Sequence, residues 1–124
     1  MKYLLDTCVL IWAALDAAEL SNAAKAIIDD QDNELYFSPA SIWEVVSKGE
    51  RIGIPADLLK HSLVANGYRE LPISSEHPLT VANIVTVHKD PFDRLLLATA
   101  IKEGMPLLTA DGNLIAYGPP VVAV

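Results

Sequence analysis

The residues best suited to chemistry in this sequence are carboxylates placed at the ends of apolar segments. Asp6 closes the run KYLLD, and Asp111 follows PLLTA. Glu44 sits in the second turn of SPASIWEVVSKG, and Asp93 falls in the first turn of DPFDRLLLATA with Asp90 beside it. Brought to one place, such acids repel at roughly 1–4 kcal/mol per close pair, and a divalent cation offsets that repulsion. Oxygen-only ligands suit Mg²⁺ or Mn²⁺, which keep several waters and leave positions for a phosphate oxygen and an attacking water. The chemistry expected is metal-assisted hydrolysis of a phosphodiester. Thr7, Ser41 and Thr109 supply hydroxyls for a metal-bound water or a phosphate, and Lys48, Arg51, Lys89 and Arg94 supply charge to guide a phosphate backbone.

Each acid also has a structural use. Asp90 before Pro91 is a good helix N-cap, with Asp93 at the third position favoured by the helix dipole. Asp93 nevertheless shares a stripe with Leu97 and Ala100 and faces inward, where an acid is harder to explain. Glu44 is four residues before Lys48, the spacing of an ordinary helix-surface pair. Arg94 has the same relation to Asp90, and Asp111 in TADGN is a good turn residue. Asp6, ending an apolar strand, has the weakest structural explanation.

Convergence depends on the elements that carry these residues. Strand-type patterns occupy Lys2–Leu5, Leu35–Phe37, Glu70–Ile73, Pro106–Leu108 and Val121–Val124, with helical segments between them. That alternation predicts a parallel sheet of about five strands covered by helices, a three-layer α/β/α sandwich. Ser21 caps a helix through Ile28, and Ser38 with Pro39 opens another. PADLLKHSLVANG is a helix stopped by Gly67, Ser75 to Val87 a further one, and Asp90 opens the clearest, ending at Gly104. Ligands of open parallel sheets bind beyond the carboxyl ends of the strands. Asp6 directly follows the first strand, Asp111 follows PLLTA and Glu44 sits in the second turn of the helix leaving LYFS, while a helix leading into the strand at Pro106 has its N-terminus, with Asp93, on that same edge.

The remaining residues narrow the alternatives. His61, His77, His88 and Cys8 have no metal-ligand spacing, so zinc is not expected and the histidines read as solvent-facing or structural. Gly49 and Gly53 bracket a turn and form no phosphate loop, and Trp12 and Trp43 fit apolar helix faces as core residues. A length of 124 residues predicts one domain, 1–124. Hydrophobic residues at 52% with 20% charged exclude a disordered chain. A net charge of −7 is the wrong sign for gripping nucleic acid by bulk charge, so any such contact must be local or metal-assisted. The longest apolar run, Cys8 to Leu15, falls well short of the roughly 18–20 residues of a membrane span. Asp6, Asp16 and the lone Lys2 argue against a signal peptide, and the single Cys8 agrees with a reducing compartment, so a cytoplasmic chain is expected.

Four ordered blocks, LLDTCVLIW, SPASIWEVVSKG, HKDPFDRLLLATA and PLLTAD, resemble the PIN domain (PilT N-terminal) family, and in particular its VapC-type toxins. The resemblance covers nearly the whole chain. It implies a sandwich with the first strand central and a Mg²⁺- or Mn²⁺-dependent endoribonuclease. Its catalytic and metal-binding acids fall on Asp6, Glu44, Asp93 and Asp111, with Asp90 as an auxiliary. It further implies a homodimer and a small VapB-type antitoxin that covers the site, and an acidic mouth suits a basic side chain from such a partner. The family commonly has Asn after Asp-Thr where this chain has Cys8, which removes a side-chain amide from the loop after Asp6.

Two other readings are weaker. A haloacid-dehalogenase-like phosphatase needs a second Asp two residues after the first, and Cys8 stands there. A catalytically inactive PIN fold serving as a protein-binding module is disfavoured by the presence of all four acids.

Overall fold

The computed structural model describes residues 1–85 and 89–124. β1 (Lys2–Leu5) leads into α1 (Thr7–Leu15) and α2 (Asn22–Asp29), and β2 (Glu34–Phe37) into α3 (Pro39–Lys48) and α4 (Ala56–Ala65). β3 (Arg69–Glu70), α5 (Glu76–Val81), α6 (Pro91–Glu103), β4 (Leu107–Thr109), α7 (Gly112–Ile115) and β5 (Val121–Ala123) complete the order. The strands form one parallel sheet in the order β3-β2-β1-β4-β5.

Period-two burial builds the layers. Leu5, Leu35, Phe37 and Leu108 face one side, packing with Val9, Leu10, Leu20, Ala24, Leu59 and Leu63 of the first half of the chain. Leu4 and Leu107 face the other, with Leu96, Leu97, Ala100, Ile84 and Leu114. The result is the expected α/β/α sandwich with β1 central. Successive strands add outward from β1 to β3, and then the chain crosses to the other side of β1 to lay down β4. The gap between the carboxyl ends of β1 and β4 is therefore the topological switch point, where a ligand crevice forms.

The start signals act as expected: the Ser21, Ser38 and Asp90 side chains accept from backbone N–H groups of α2, α3 and α6. Gly67 and Gly104 take positive φ after α4 and α6. Three expectations are corrected. The segment Glu70–Ile73 is a strand only over Arg69–Glu70; Leu71 N–H still reaches the Phe37 carbonyl at 2.9 Å, but Pro72 has no N–H to continue the ladder. The helix expected from Ser75 to Val87 ends at Val81, where the amides of Ala82, Asn83 and Ile84 reach back only three residues and tighten the turn; its last residues, 86 and 87, lie outside the described residues, as does His88. Trp43 is not core but 61% exposed, on the outward face of α3 with Val46. Among the described residues, no helix is long and apolar enough to cross a membrane.

Candidate active site

Asp6 stands at the switch point. It is the first residue after β1 and the N-cap of α1, and its Oδ1 accepts from the Val9 amide at 3.0 Å. Its Oδ2 accepts a short hydrogen bond from Thr109 Oγ1 at the end of β4. The residue is buried, and its carboxyl is pushed up to about 6. Burial is the main cause; the Thr109 and Val9 hydrogen bonds oppose it, and the charges of Asp93 and Asp111 add to it. Asp6 therefore lies in the field of both acids that the chain brings from its far end.

Glu44 enters from α3, whose start is fixed by Ser38 and Pro39 directly after β2. It is 6% exposed, and its two oxygens have separate partners. Thr7 Oγ1 donates to Oε1 at 2.5 Å and lies 3.0 Å from Ser41 Oγ, while Lys48 Nζ donates to Oε2 in a short contact. Lys48 also reaches Asp90 Oδ2 at 3.5 Å and lies 5.7 Å from the centroid of the Phe92 ring. The Glu44 contact, more than the opposing burial, holds its ammonium above the usual lysine range.

Asp93, 8% exposed, lies in the first turn of α6. Asp90 is half-buried, and its Oδ1 accepts from the amides of Phe92 at 2.9 Å and Asp93 at 3.4 Å. Asp111 caps α7 through the Asn113 amide at 2.8 Å, and its own N–H donates to Thr109 Oγ1 at 2.9 Å. Cys8 registers the combined field. Its side chain is exposed by area, yet crowding of the sulfur by protein and then the charges of Asp6, Glu44 and Asp93 push its thiol up to about 11. A thiol so disfavoured as thiolate is a poor nucleophile.

Asp6, Glu44, Asp93 and Asp111 thus share one electrostatic neighbourhood. They do not form a ready cage: among the described residues, no three His, Cys, Asp or Glu side chains are placed to hold a metal ion together. The reason is visible in the contacts, since Asp6 is turned to Thr109 and Glu44 to Thr7 and Lys48. The donor set itself, all carboxylate and hydroxyl oxygen on one edge of the sheet, fits a hard divalent cation that retains water.

Several sequence expectations shift in detail. Thr7 and Thr109, expected to hold a water or a phosphate, instead donate to the site's own carboxylates. The surface pair Glu44–Lys48 exists, but on a buried glutamate. Arg94 is half-buried, with an Nε that has no hydrogen-bond partner among the described residues. From sequence Phe92 reads as an ordinary apolar helix residue, and its place beside Pro91 in the first turn is the one signal that it lies beneath Lys48. A cavity of about 450 Å³ lies elsewhere, lined by Ala13, Leu20, Ile28, Leu63 and Tyr68. An open edge that a polymer lies across need not be a deep pocket, so the electrostatics identify the site better than cavity size does.

Comparison with known proteins gives concordant findings. The PIN domain family model matches residues 3–118. Ribonuclease VapC22 of Mycobacterium tuberculosis is 33% identical over 121 residues, which cover 94% of this chain and 92% of that protein. Among solved structures, VapBC2 from Rickettsia felis bound to a DNA fragment from its promoter superposes with a TM-score of 0.66 at 16% identity, covering 100% of this chain and 98% of that one. A toxin–antitoxin complex from Klebsiella pneumoniae gives 0.66 at 22% identity, over 97% of this chain and 95% of that one. Mycobacterium tuberculosis VapC20, described as a Sarcin-Ricin loop cleaving toxin, gives 0.64 at 19% identity, over 94% and 95%. At these identities the solved structures speak for the fold.

Proposed function

The chain belongs to the PIN domain family, and on that premise we propose that it is the toxin of a type II toxin–antitoxin pair, a metal-dependent endoribonuclease that hydrolyses RNA phosphodiester bonds. The observation that carries this reading is the place of Asp6: buried at the β1/β4 switch point, with its carboxyl raised partly by Asp93 and Asp111. Residues 1–124 act as a single ribonuclease domain, in the cytoplasm.

Asp6, Glu44, Asp93 and Asp111 would hold Mg²⁺ or Mn²⁺, which when bound supplies charge for the phosphate and a more acidic water. Thr109 orients the Asp6 carboxylate, and Thr7, backed by Ser41, orients that of Glu44. Asp90 is auxiliary, setting the start of α6 so that Asp93 faces inward. Lys48 and Arg94, both beside the acidic edge, would guide the RNA backbone where the net charge of −7 otherwise repels it. The partners are an RNA substrate, a second copy of the chain and a small VapB-type antitoxin, whose kind is suggested by the toxin–antitoxin complexes that share the fold.

The test is cleavage of RNA by the purified chain with Mn²⁺ or Mg²⁺ and with chelator, beside expression in a bacterium with and without the neighbouring open reading frame. Metal-dependent cleavage and growth arrest relieved by the neighbour are expected. A folded chain that leaves RNA intact with either metal would be a binding module instead.

A further inference from the structure

Lys48 is placed unlike an ordinary helix-surface lysine. Its i,i+4 partner Glu44 is buried, with a side chain only 8% exposed, and Lys48 also crosses from α3 to Asp90 at the start of α6 at 3.5 Å. Phe92, in the first turn of the same helix, lies beneath the ammonium at 5.7 Å. With Thr7 on Oε1 and Lys48 on Oε2, both oxygens of Glu44 are engaged. A divalent ion approaching Oε2 would meet an ammonium in contact with the same oxygen. The lysine is the group able to yield: its four-carbon stem is flexible and its side chain is 30% exposed, whereas Thr7 is buried and fixed at the start of α1.

We propose that Lys48 is a resident counter-cation, which clamps Glu44 and Asp90 in the metal-free chain and is expelled when a divalent cation binds. The inference rests on the reading of the acidic edge as a metal site. It explains why that edge tolerates crowded carboxylates without metal, and why no preformed cage is present among the described residues. Metal loading is then an exchange of one cation for another, and Lys48 is a positioning residue that sets its threshold.

The exchange is testable by lysine footprinting. The full chain is reductively methylated with chelator and with saturating Mn²⁺, and the rate at Lys48 is read by peptide mass spectrometry against Lys25, an exposed lysine of α2. Mn²⁺ binding is followed in parallel by electron paramagnetic resonance. Expected are a several-fold rise in Lys48 reactivity on Mn²⁺ binding and a similar rise without metal in Glu44→Gln. Mn²⁺ should bind Lys48→Met roughly tenfold tighter, because no resident cation then has to be displaced from the carboxylates. Mn²⁺ that binds while Lys48 reactivity stays unchanged overturns the clamp and leaves the metal site standing. Absence of Mn²⁺ binding overturns the metal site and the clamp with it. The wild-type footprint decides even if a variant fails to fold.

Discussion

A buried polar group lies near each end of helix α6, His77 of α5 at one and Asp93 of α6 itself at the other, and their surroundings differ in kind. Near its C-terminus, Glu103 meets His77 of α5. His77 is 1% exposed; the Ser74 amide donates to its Nδ1 at 3.1 Å, and its Nε2 lies 2.9 Å from Glu103 Oε1. Because Nδ1 accepts, Nε2 carries the proton and donates, so each ring nitrogen has a complementary partner. Near the N-terminus, Asp93 lies in a neighbourhood of like charge with Asp6, Asp111 and Glu44. A fold that can satisfy a buried imidazole fully at one end has no stability reason to gather carboxylates at the other. The acids have hydrogen-bond partners too, but they also lie in one another's like-charge field, and that crowding is what a bound cation would relieve.

That contrast is broken or upheld first by activity. Asp6→Asn, Glu44→Gln and Asp93→Asn should each lower metal-dependent RNA cleavage by about a hundredfold or more while leaving a folded chain, because each removes a carboxylate from the metal's surroundings and leaves the apolar core untouched. Asp111→Asn should cost less, since its carboxylate caps α7 and its own N–H bonds Thr109. Cleavage rates with circular dichroism on the same preparations provide the check; full activity in Asp6→Asn rules out this site.

The opposite end should respond in stability. His77→Ala removes a buried ring and leaves the Ser74 amide without its acceptor, at a cost of about 2–4 kcal/mol. Cleavage per folded molecule should stay near that of the wild type. Urea melts and activity below the transition measure the two separately, and a loss of activity without loss of stability would make the His77 end functional.

How far the contrast was legible in the sequence depends on which residues are asked. The acids ending apolar strands were readable, because a parallel sheet collects everything after its strand ends on one edge, and Asp6 follows β1 directly while Asp111 is the second residue after β4. The Glu44 face of α3 was less readable. Ser41 and Glu44 turn inward and Trp43 and Val46 outward, so a count of apolar residues points to the wrong side of the helix. Apolar periodicity assumes that the buried face is apolar, and at a site that assumption fails. His77 offered no signal either: one partner is a backbone amide three residues away, and the other, Glu103, is 26 residues away and joined to it only by the packing of α5 on α6.

The pH dependence of stability sharpens the comparison further. The Asp6 carboxyl titrates near 6 in the folded chain and near its ordinary 3.8 when unfolded. Between those values the folded state holds more protons, so the stability associated with Asp6 is complete below pH 3.8 and falls as pH rises towards 6. Above that range the cost is constant, on the order of 3 kcal/mol. In chelator, wild type should therefore lose stability relative to Asp6→Asn between pH 4 and pH 7, and Asn can still cap α1. Parallel pH profiles for the two proteins would show that Asp6 is not held in an unfavourable field.

The smallest effect concerns Asp90, which stands between the two kinds of region. It accepts from the Phe92 and Asp93 amides as a helix cap, and it also receives Lys48 beside the acids. The cap needs only an oxygen, which Asn supplies, whereas the Lys48 contact needs the charge. Asp90→Ala should thus lower stability by about 1 kcal/mol, and Asp90→Asn by no more than a few tenths. Because the Lys48 contact is 3.5 Å long and both side chains are over a quarter exposed, it adds little to that figure. Denaturant melts of the two variants separate the roles. An Asn variant as unstable as the Ala variant would mean that charge, not capping, holds the start of α6, and would move Asp90 from the satisfied, structural kind of polar group to the crowded, functional one.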